Sequence, residues 1–314
     1  MMEMMSLRKA YGEALVDEGR TNTDIVVLEA DLGKSTMSCL FKDAYPDRYF
    51  EMGIAEQNMA SVSAGLALAG KIPFYSTFAV FAVGRAYDQI RCSIAIPGAN
   101  VKICGSSCGL SDFGDGKTHQ SIEDANIICA IPHMTVLNPC DAVETRKMVK
   151  AMLKHAGPVY IRINRNDLPV YTSAEGEYEI GKMYRIREGK DLVIFATGAM
   201  VWKSMEAAEL LAAEGISAEV VNVSSLKPLK KEEILKYARG KKAIVTADES
   251  TRIGGLGSAI ASLIMGEVNL PFEQIGIDDE FGTSAHTYEE LLGKYGLTGK
   301  DIAAAARKAL SAKA

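Results

Sequence analysis

Short β-branched runs alternate along this chain with longer segments whose apolar residues recur at helical spacing, and this alternation constrains the fold more than any other feature. A strand followed by a helix long enough to cross a sheet delivers the next strand parallel to the first, so the resulting sheet is covered by helices on both faces. The spacing predicts strands over 25–30, 48–52, 73–76, 101–104, 135–137 and 159–163, with helices over 56–69, 81–96, 120–131 and 141–155. Ahead of them, Ser6 suits the N-cap of a first helix that Gly19 would end. The periodicity fades between Asn164 and Gly189 and then resumes. Strands are predicted there over 192–196, 218–222, 242–247 and 272–276, helices over 200–214, 230–239 and 255–265, and a last helix that Thr298 can cap. The expected fold is α/β, with two doubly wound domains, each a mainly parallel sheet covered by helices. Their expected limits are 1–170 and 190–314, with a linker over 171–189.

Charge narrows the partners. The chain carries 35 Lys+Arg against 40 Asp+Glu, a formal charge of −5, so no general attraction to nucleic acid or anionic lipid is expected, and any phosphate must be met by a local site. The most apolar stretch, 59–84, is interrupted by Lys71 and Pro73 and is too short of uninterrupted apolar residues for a membrane span, and MMEMMSLRKA has no signal-like apolar region. The six cysteines lie in or beside apolar runs, as free thiols of a cytoplasmic protein would.

Ligands of a parallel sheet gather beyond the carboxyl ends of its strands, so the loops there are the place to look for chemistry. Asp31 follows a strand in EADLGKS, Glu56 opens a helix in MGIAEQN, and Phe78 and Phe81 follow a strand in YSTFAVF. GSSCGLSDFGDGKTHQ carries Asp115 and His119; Asn138 and Asp141 stand in LNPCD; Arg162 and Arg165 stand in YIRINRND. Each has a plain structural alternative. Asp31 or Glu56 can serve a helix start, the two phenylalanines can be core, and the arginines can be a solvated pair. Cys104, Cys108 and His119 lack the fourth ligand of a closed zinc site, so no metal centre is expected. GGLGSAI misses a dinucleotide fingerprint because its third small position falls on Ile260. Gly114-Asp115-Gly116 imitates the start of a magnesium and diphosphate motif, but the paired asparagines some thirty residues on are missing.

Taken together and in this order, RKAYGEAL, EADLGKS, G-I-x-E-Q-N at 53–58, STFAVFAVGRAYDQIR, GDGKTHQSIED and GGLGSAI resemble the C-terminal half of transketolase. The resemblance spans nearly the whole chain and implies a thiamine-diphosphate-fold pyrimidine domain followed by a transketolase C-terminal domain. The half that binds the diphosphate and magnesium is missing, and residue 1 falls close to where it would end. The resemblance therefore implies one subunit of a split transketolase, active with an N-terminal-half partner, most simply as a two-plus-two heterotetramer. Its implied activity is transfer of a two-carbon ketol unit from a ketose phosphate to an aldose, as in pentose phosphate metabolism, with thiamine diphosphate and Mg2+ as cofactors. The β-subunit of a 2-oxoacid dehydrogenase shares this layout. A deoxyxylulose-phosphate synthase and a non-catalytic assembly subunit are further alternatives.

The family's roles transfer by position. Glu56 matches the glutamate that bonds N1′ of the aminopyrimidine, where a buried carboxyl with a raised pKa would steer the ring to its imino tautomer. Phe78 and Phe81 match the aromatic residues that stack on the pyrimidine, and Asp31 matches a carboxylate near the thiazolium. Arg8, Ser35 and Arg165 match the phosphate-binding set, and Asp115 and His119 match groups that contact substrate hydroxyls. Two positions depart from the pattern. A histidine that meets the donor in typical members falls on Ser107, and DES at 248–250 stands where E-E-H is usual. Both put the identity of the substrate in doubt.

Overall fold

The computed structural model describes residues 3–312. Seven strands form the first sheet, in the order Ser225–Lys227, Thr135–Leu137, Val159–Ile163, Lys102–Ser106, Ile72–Phe78, Ile25–Glu29, Tyr49–Glu51. Every pairing in it is parallel except that of Ser225–Lys227. Ile25–Glu29, Lys102–Ser106 and Val159–Ile163 are buried at every residue, as strands covered on both faces must be. The second sheet has five strands, in the order Phe272–Ile277, Ala243–Thr251, Leu192–Ala196, Ala218–Asn222, Tyr184–Arg187, of which only the last is antiparallel. The expected class, two α/β units with mainly parallel sheets under helices, is the observed one.

In the first sheet the chain runs from Ile25–Glu29 outward to Tyr49–Glu51, then jumps back across to Ile72–Phe78 and continues the other way. The order therefore reverses between Ile25–Glu29 and Ile72–Phe78, and the crevice beyond their carboxyl ends is where such a fold holds a ligand. Caps fix helices in both units. Ser6 accepts from Lys9 N at the start of Leu7–Gly19, and Thr298 with Asp301 closes a reciprocal capping box before Gly299–Ser311. One apolar cluster runs without a break from Leu7, Phe41 and Ile161 through Tyr178 to Leu192 and Ile302, so the two sheets share packing.

Several expectations change. The helix expected over 81–96 is instead two π-type turns, Val80–Arg85 and Ile90–Ala95, around the short helix Tyr87–Gln89. The wider turns keep Ala82, Ala86, Ile90 and Ile94 in the core while presenting Phe81 and Arg85 outward. The helix expected over 120–131 shortens to Asp124–Cys129, because Gln120 and Ser121 bond back to their own loop. The stretch expected as linker contains the strand Tyr184–Arg187, and Met4–Ser6 pairs with Asp167–Pro169. Ser225–Lys227, from the second half of the chain, joins the first sheet. Asp141 is structural: it caps Ala142–Lys154 through Glu144 N and accepts three further bonds from Tyr171 and Thr172.

Candidate active site

Glu56 begins the helix Glu56–Leu68, and its side chain is 1% exposed. Arg85 Nη1 donates to both of its oxygens at 2.8 Å. The burial fits the expectation, whereas the guanidinium was not foreseen. Arg85 Cζ also lies 4.5 Å from the centre of the Phe81 ring, so one cation spans the carboxylate and an aromatic face. Phe78 and Phe81 stand with ring centroids 6.1 Å apart and planes 15° from parallel. His119 meets both edge-on, at 6.2 and 5.4 Å, and its Nδ1 lies 2.9 Å from Thr118 Oγ1. Two near-parallel rings with an imidazole at their rim offer an apolar shelf to a flat heteroaromatic group.

Arg8, Ser35 and Arg165 come from three separated segments, and the fold gathers them. Arg8 Nη1 donates to the Ser35 carbonyl at 2.7 Å. Burial, and after it the neighbouring charge of Arg165, lowers the Arg8 pKa, so the two guanidiniums lie within each other's field. The Nε of Arg8 is buried without a partner. Arg165 donates to Asp112 Oδ2 at 2.6 Å and lies 5.9 Å from the Phe78 ring centre, which joins the cationic end to the aromatic shelf. Two close cations with donors to spare suit a dianion.

The loop 107–121 closes on itself through a Gly109–Ser121 bridge. Asp115 is exposed at its tip; burial, and after it the neighbouring charge of Asp115, raises the carboxyl pKa of the buried Asp112 against the pull of Arg165. Ser107 is fully buried, with φ at 53° and an Oγ without a partner, so its hydroxyl lies under the loop. Asp31 is exposed in left-handed backbone, φ 63°, with its N–H donated to Glu51 Oε1 at 2.7 Å. It caps no helix: Leu32 precedes Gly33–Thr36, and no side chain caps that turn. Among the described residues, no group of three or more His, Cys, Asp or Glu is placed to hold a metal ion. The six cysteines are free, and among the described residues no helix is long and apolar enough to cross a membrane.

Sequence reasoning missed Arg85, Glu29 and Glu249. Arg85 lay inside the aromatic segment four residues after Phe81, one helical turn away, which was the available signal. Glu29 ends a strand fully buried and accepts from Ser38 Oγ at 2.5 Å, Thr36 Oγ1 at 2.7 Å and Ala30 N at 3.1 Å, so it shapes the loop that carries Asp31 and Ser35. Burial raises its pKa to about 7, against the pull of the Ser38 and Thr36 hydroxyls. Glu249 reaches the site from the second domain, and burial raises its pKa to about 7 as well, against Arg162.

Residues 3–170 match the family described as "Transketolase, pyrimidine binding domain", and residues 181–302 match "Transketolase, C-terminal domain". The chain belongs to the transketolase family. A putative transketolase C-terminal section of Methanocaldococcus jannaschii is 43% identical over 95% of this chain and 94% of its own length. A 6-deoxy-6-sulfo-D-fructose transketolase subunit of a Clostridium species is 41% identical over 98% and 95%. Among solved structures, a split gene transketolase described as an inactive beta4 tetramer superposes with a TM-score of 0.90 at 47% identity, covering 99% of this chain and all of that one. The chain is thus a split-gene type of transketolase-family subunit.

Proposed function

We propose that this chain is the pyrimidine-side subunit of a thiamine-diphosphate-dependent transketolase, moving a two-carbon ketol unit from a ketose phosphate to an aldose once joined to an N-terminal-half partner. The observation that carries the reading is the continuity of the site. A stacked Phe78–Phe81 shelf lies beside a carboxylate 1% exposed at one end and the paired guanidiniums of Arg8 and Arg165 at the other. The residues present fit the pyrimidine half of the cofactor: the shelf takes the ring face and Glu56 meets a ring nitrogen from the side. When bound, thiamine diphosphate supplies the nucleophilic carbon that carries the two-carbon unit.

The protein residues supply the rest. Glu56 holds a proton at the N1′ position, and that controls the ring tautomer. Its carboxylate keeps a free lone pair on each oxygen while Arg85 Nη1 bridges the two, so ring and guanidinium can share it. Phe78 and Phe81 exclude water from the ring faces. Arg8 and Arg165 orient the sugar phosphate, with Ser35 on the same side, and His119 and Asp115 reach toward substrate hydroxyls from the loop rim. Asp31 stands near the thiazolium side. We assign the diphosphate and Mg2+ to the partner half, because this chain lacks the paired asparagines of that motif. A two-plus-two heterotetramer is the simplest assembly, and a cytoplasmic setting suits six free thiols.

The donor is best sought outside the commonest pentose phosphates. Ser107 replaces the family histidine and lies buried, and the similar Clostridium protein is named for a sulfonated ketose. Reconstitution is the test. The chain and its partner half, purified separately and then mixed with thiamine diphosphate and Mg2+, are assayed against ketose phosphates and sulfonated and branched ketoses. Activity only in the mixture is expected, in line with a similar structure described as an inactive beta4 tetramer. Full turnover by the single chain, or none by the mixture with any ketose, would overturn the reading.

A further inference from the structure

Glu249 belongs to the second domain, on the strand Ala243–Thr251, yet its side chain ends inside the first domain's substrate loop. Its Oε1 accepts from Leu110 N at 2.8 Å, and its Oε2 accepts from Asn164 Nδ2 at 3.3 Å. Leu110 lies in the loop that bears Asp112, Asp115 and His119, while Asn164 immediately precedes Arg165. One carboxylate therefore ties the two segments that face the sugar phosphate. Asn164 also donates to Tyr288 Oη at 3.1 Å, and the Glu249 carbonyl accepts from Arg162 Nη2 at 3.1 Å.

The loop is shaped for this contact. Gly109 has φ at 60°, and a Cβ there would stand 2.6 Å from the Glu249 carboxyl carbon, so the backbone approaches the carboxylate as closely as only glycine allows. The second domain grips the same loop again farther along. Ala285 N donates to the Phe113 carbonyl at 2.8 Å, and Gln120 Nε2 bridges the Thr283 and Asp112 carbonyls at 2.9 and 3.0 Å. Asp112 in turn holds Arg165.

We infer that Glu249 is a positioning residue through which the C-terminal domain sets the substrate-facing geometry of loop 107–121 and of Arg165. It touches no reacting atom. Its effect is on where the loop places Asp115 and His119 and where Asn164 leaves Arg165, and it rests on the ketol-transfer reading above.

Two variants separate reach from charge. Glu249→Asp keeps the charge beside Arg162 but withdraws it from Leu110 by one methylene. Glu249→Gln keeps an acceptor for Leu110 N but gives up the charge beside Arg162 together with the Asn164 contact. In the reconstituted complex, Glu249→Asp should raise the KM of a phosphorylated ketose roughly tenfold, the worth of one hydrogen bond to a charged group, with kcat little changed. Glu249→Gln should raise it only about threefold, nearer the value of a neutral bond. A merely structural role would lower kcat through an inactive fraction and leave KM unmoved. That outcome overturns the inference, as does a KM less affected by Asp than by Gln.

Hydrogen exchange in the isolated chain decides the same question without activity. The Leu110 amide should exchange faster in Glu249→Asp than in the wild type or in Glu249→Gln, and equal protection in all three would refute the contact's role. If the wild-type complex proves inactive on sugar phosphates, the functional reading fails, and the exchange result still scores Glu249.

Discussion

Replacing Glu56 by Gln or Ala takes away a buried carboxylate but leaves behind only a cation that is 43% exposed, because Arg85 reaches solvent on its other side. Assembly should survive the change, while the chemical step should slow by roughly 10²- to 10⁴-fold, the usual worth of a positioned acid–base group. The direct measurement is exchange of the C2 proton of bound thiamine diphosphate in Glu56→Gln; a wild-type rate there would remove Glu56 from its role. The burial of Glu56 could be anticipated only from the role that the resemblance of its G-I-x-E-Q-N motif implies, since a glutamate at a helix start also suits a solvated position. Its pairing with Arg85 could not, since the two residues are 29 apart and meet only after Val80–Arg85 winds into a π-type turn, a geometry that a 3.6-residue period does not signal. Ser107 shows the same limit. The resemblance places it where a donor-contacting histidine falls, but nothing in the sequence shows that the loop folds over it and leaves its hydroxyl without a partner.

At the scale of the element, the connection after Ile25–Glu29 is held by Glu29, which gathers the Ser38 and Thr36 hydroxyls and the Ala30 amide. Its folded pKa of about 7 lies above the ordinary 4.5 because burial disfavours the charge. Between those two values the folded chain binds the proton and the unfolded chain releases it, so stability falls as pH rises from about 4.5 to about 7 and levels off beyond. Glu29→Gln cannot ionise. Thermal unfolding of both proteins at pH 5 and pH 8 should show wild type losing ground to the variant at the higher pH, and parallel melting curves across that range would contradict the assignment. The loop's importance was legible from EADLGKS, but the role of Glu29 was not, because nothing in a strand predicted over 25–30 shows that the Ser38 and Thr36 hydroxyls fold back onto its carboxylate. The central parallel strands Ile25–Glu29, Val159–Ile163, Leu192–Ala196 and Ala218–Asn222 were legible, being buried on both faces and rich in Val, Ile and Leu. Tyr184–Arg187 and Ser225–Lys227 escaped notice because short edge strands with one covered face carry no such run.

Across the whole molecule, the two domains meet at a buried charge. Arg162 is 1% exposed and Asp124 fully buried; Arg162 Nε reaches the Asp124 oxygens at 3.1 and 3.0 Å, and Tyr160 Oη donates to Asp124 at 2.6 Å. The other end of the guanidinium bridges the domains, donating from Nη2 to Ser121 O at 3.2 Å and to Glu249 O at 3.1 Å. With Ser225–Lys227 inserted beside Thr135–Leu137 and a continuous apolar cluster behind it, the chain should unfold as one cooperative unit despite its two sheets. Arg162→Met fills similar volume with apolar atoms but leaves Asp124 charged, buried and supported by Tyr160 alone. Removing one partner of a buried pair typically costs about 3–5 kcal/mol, because the remaining charge is uncompensated. The loss falls on the joint between domains, since the variant also gives up the bonds to Ser121 and Glu249. Scanning calorimetry should therefore show one transition in the wild type and an earlier, divided transition in Arg162→Met, with the second sheet melting apart from the first. A variant that still melts in one step at the wild-type temperature would mean that the shared strand and apolar cluster couple the domains on their own, and that Arg162 does not.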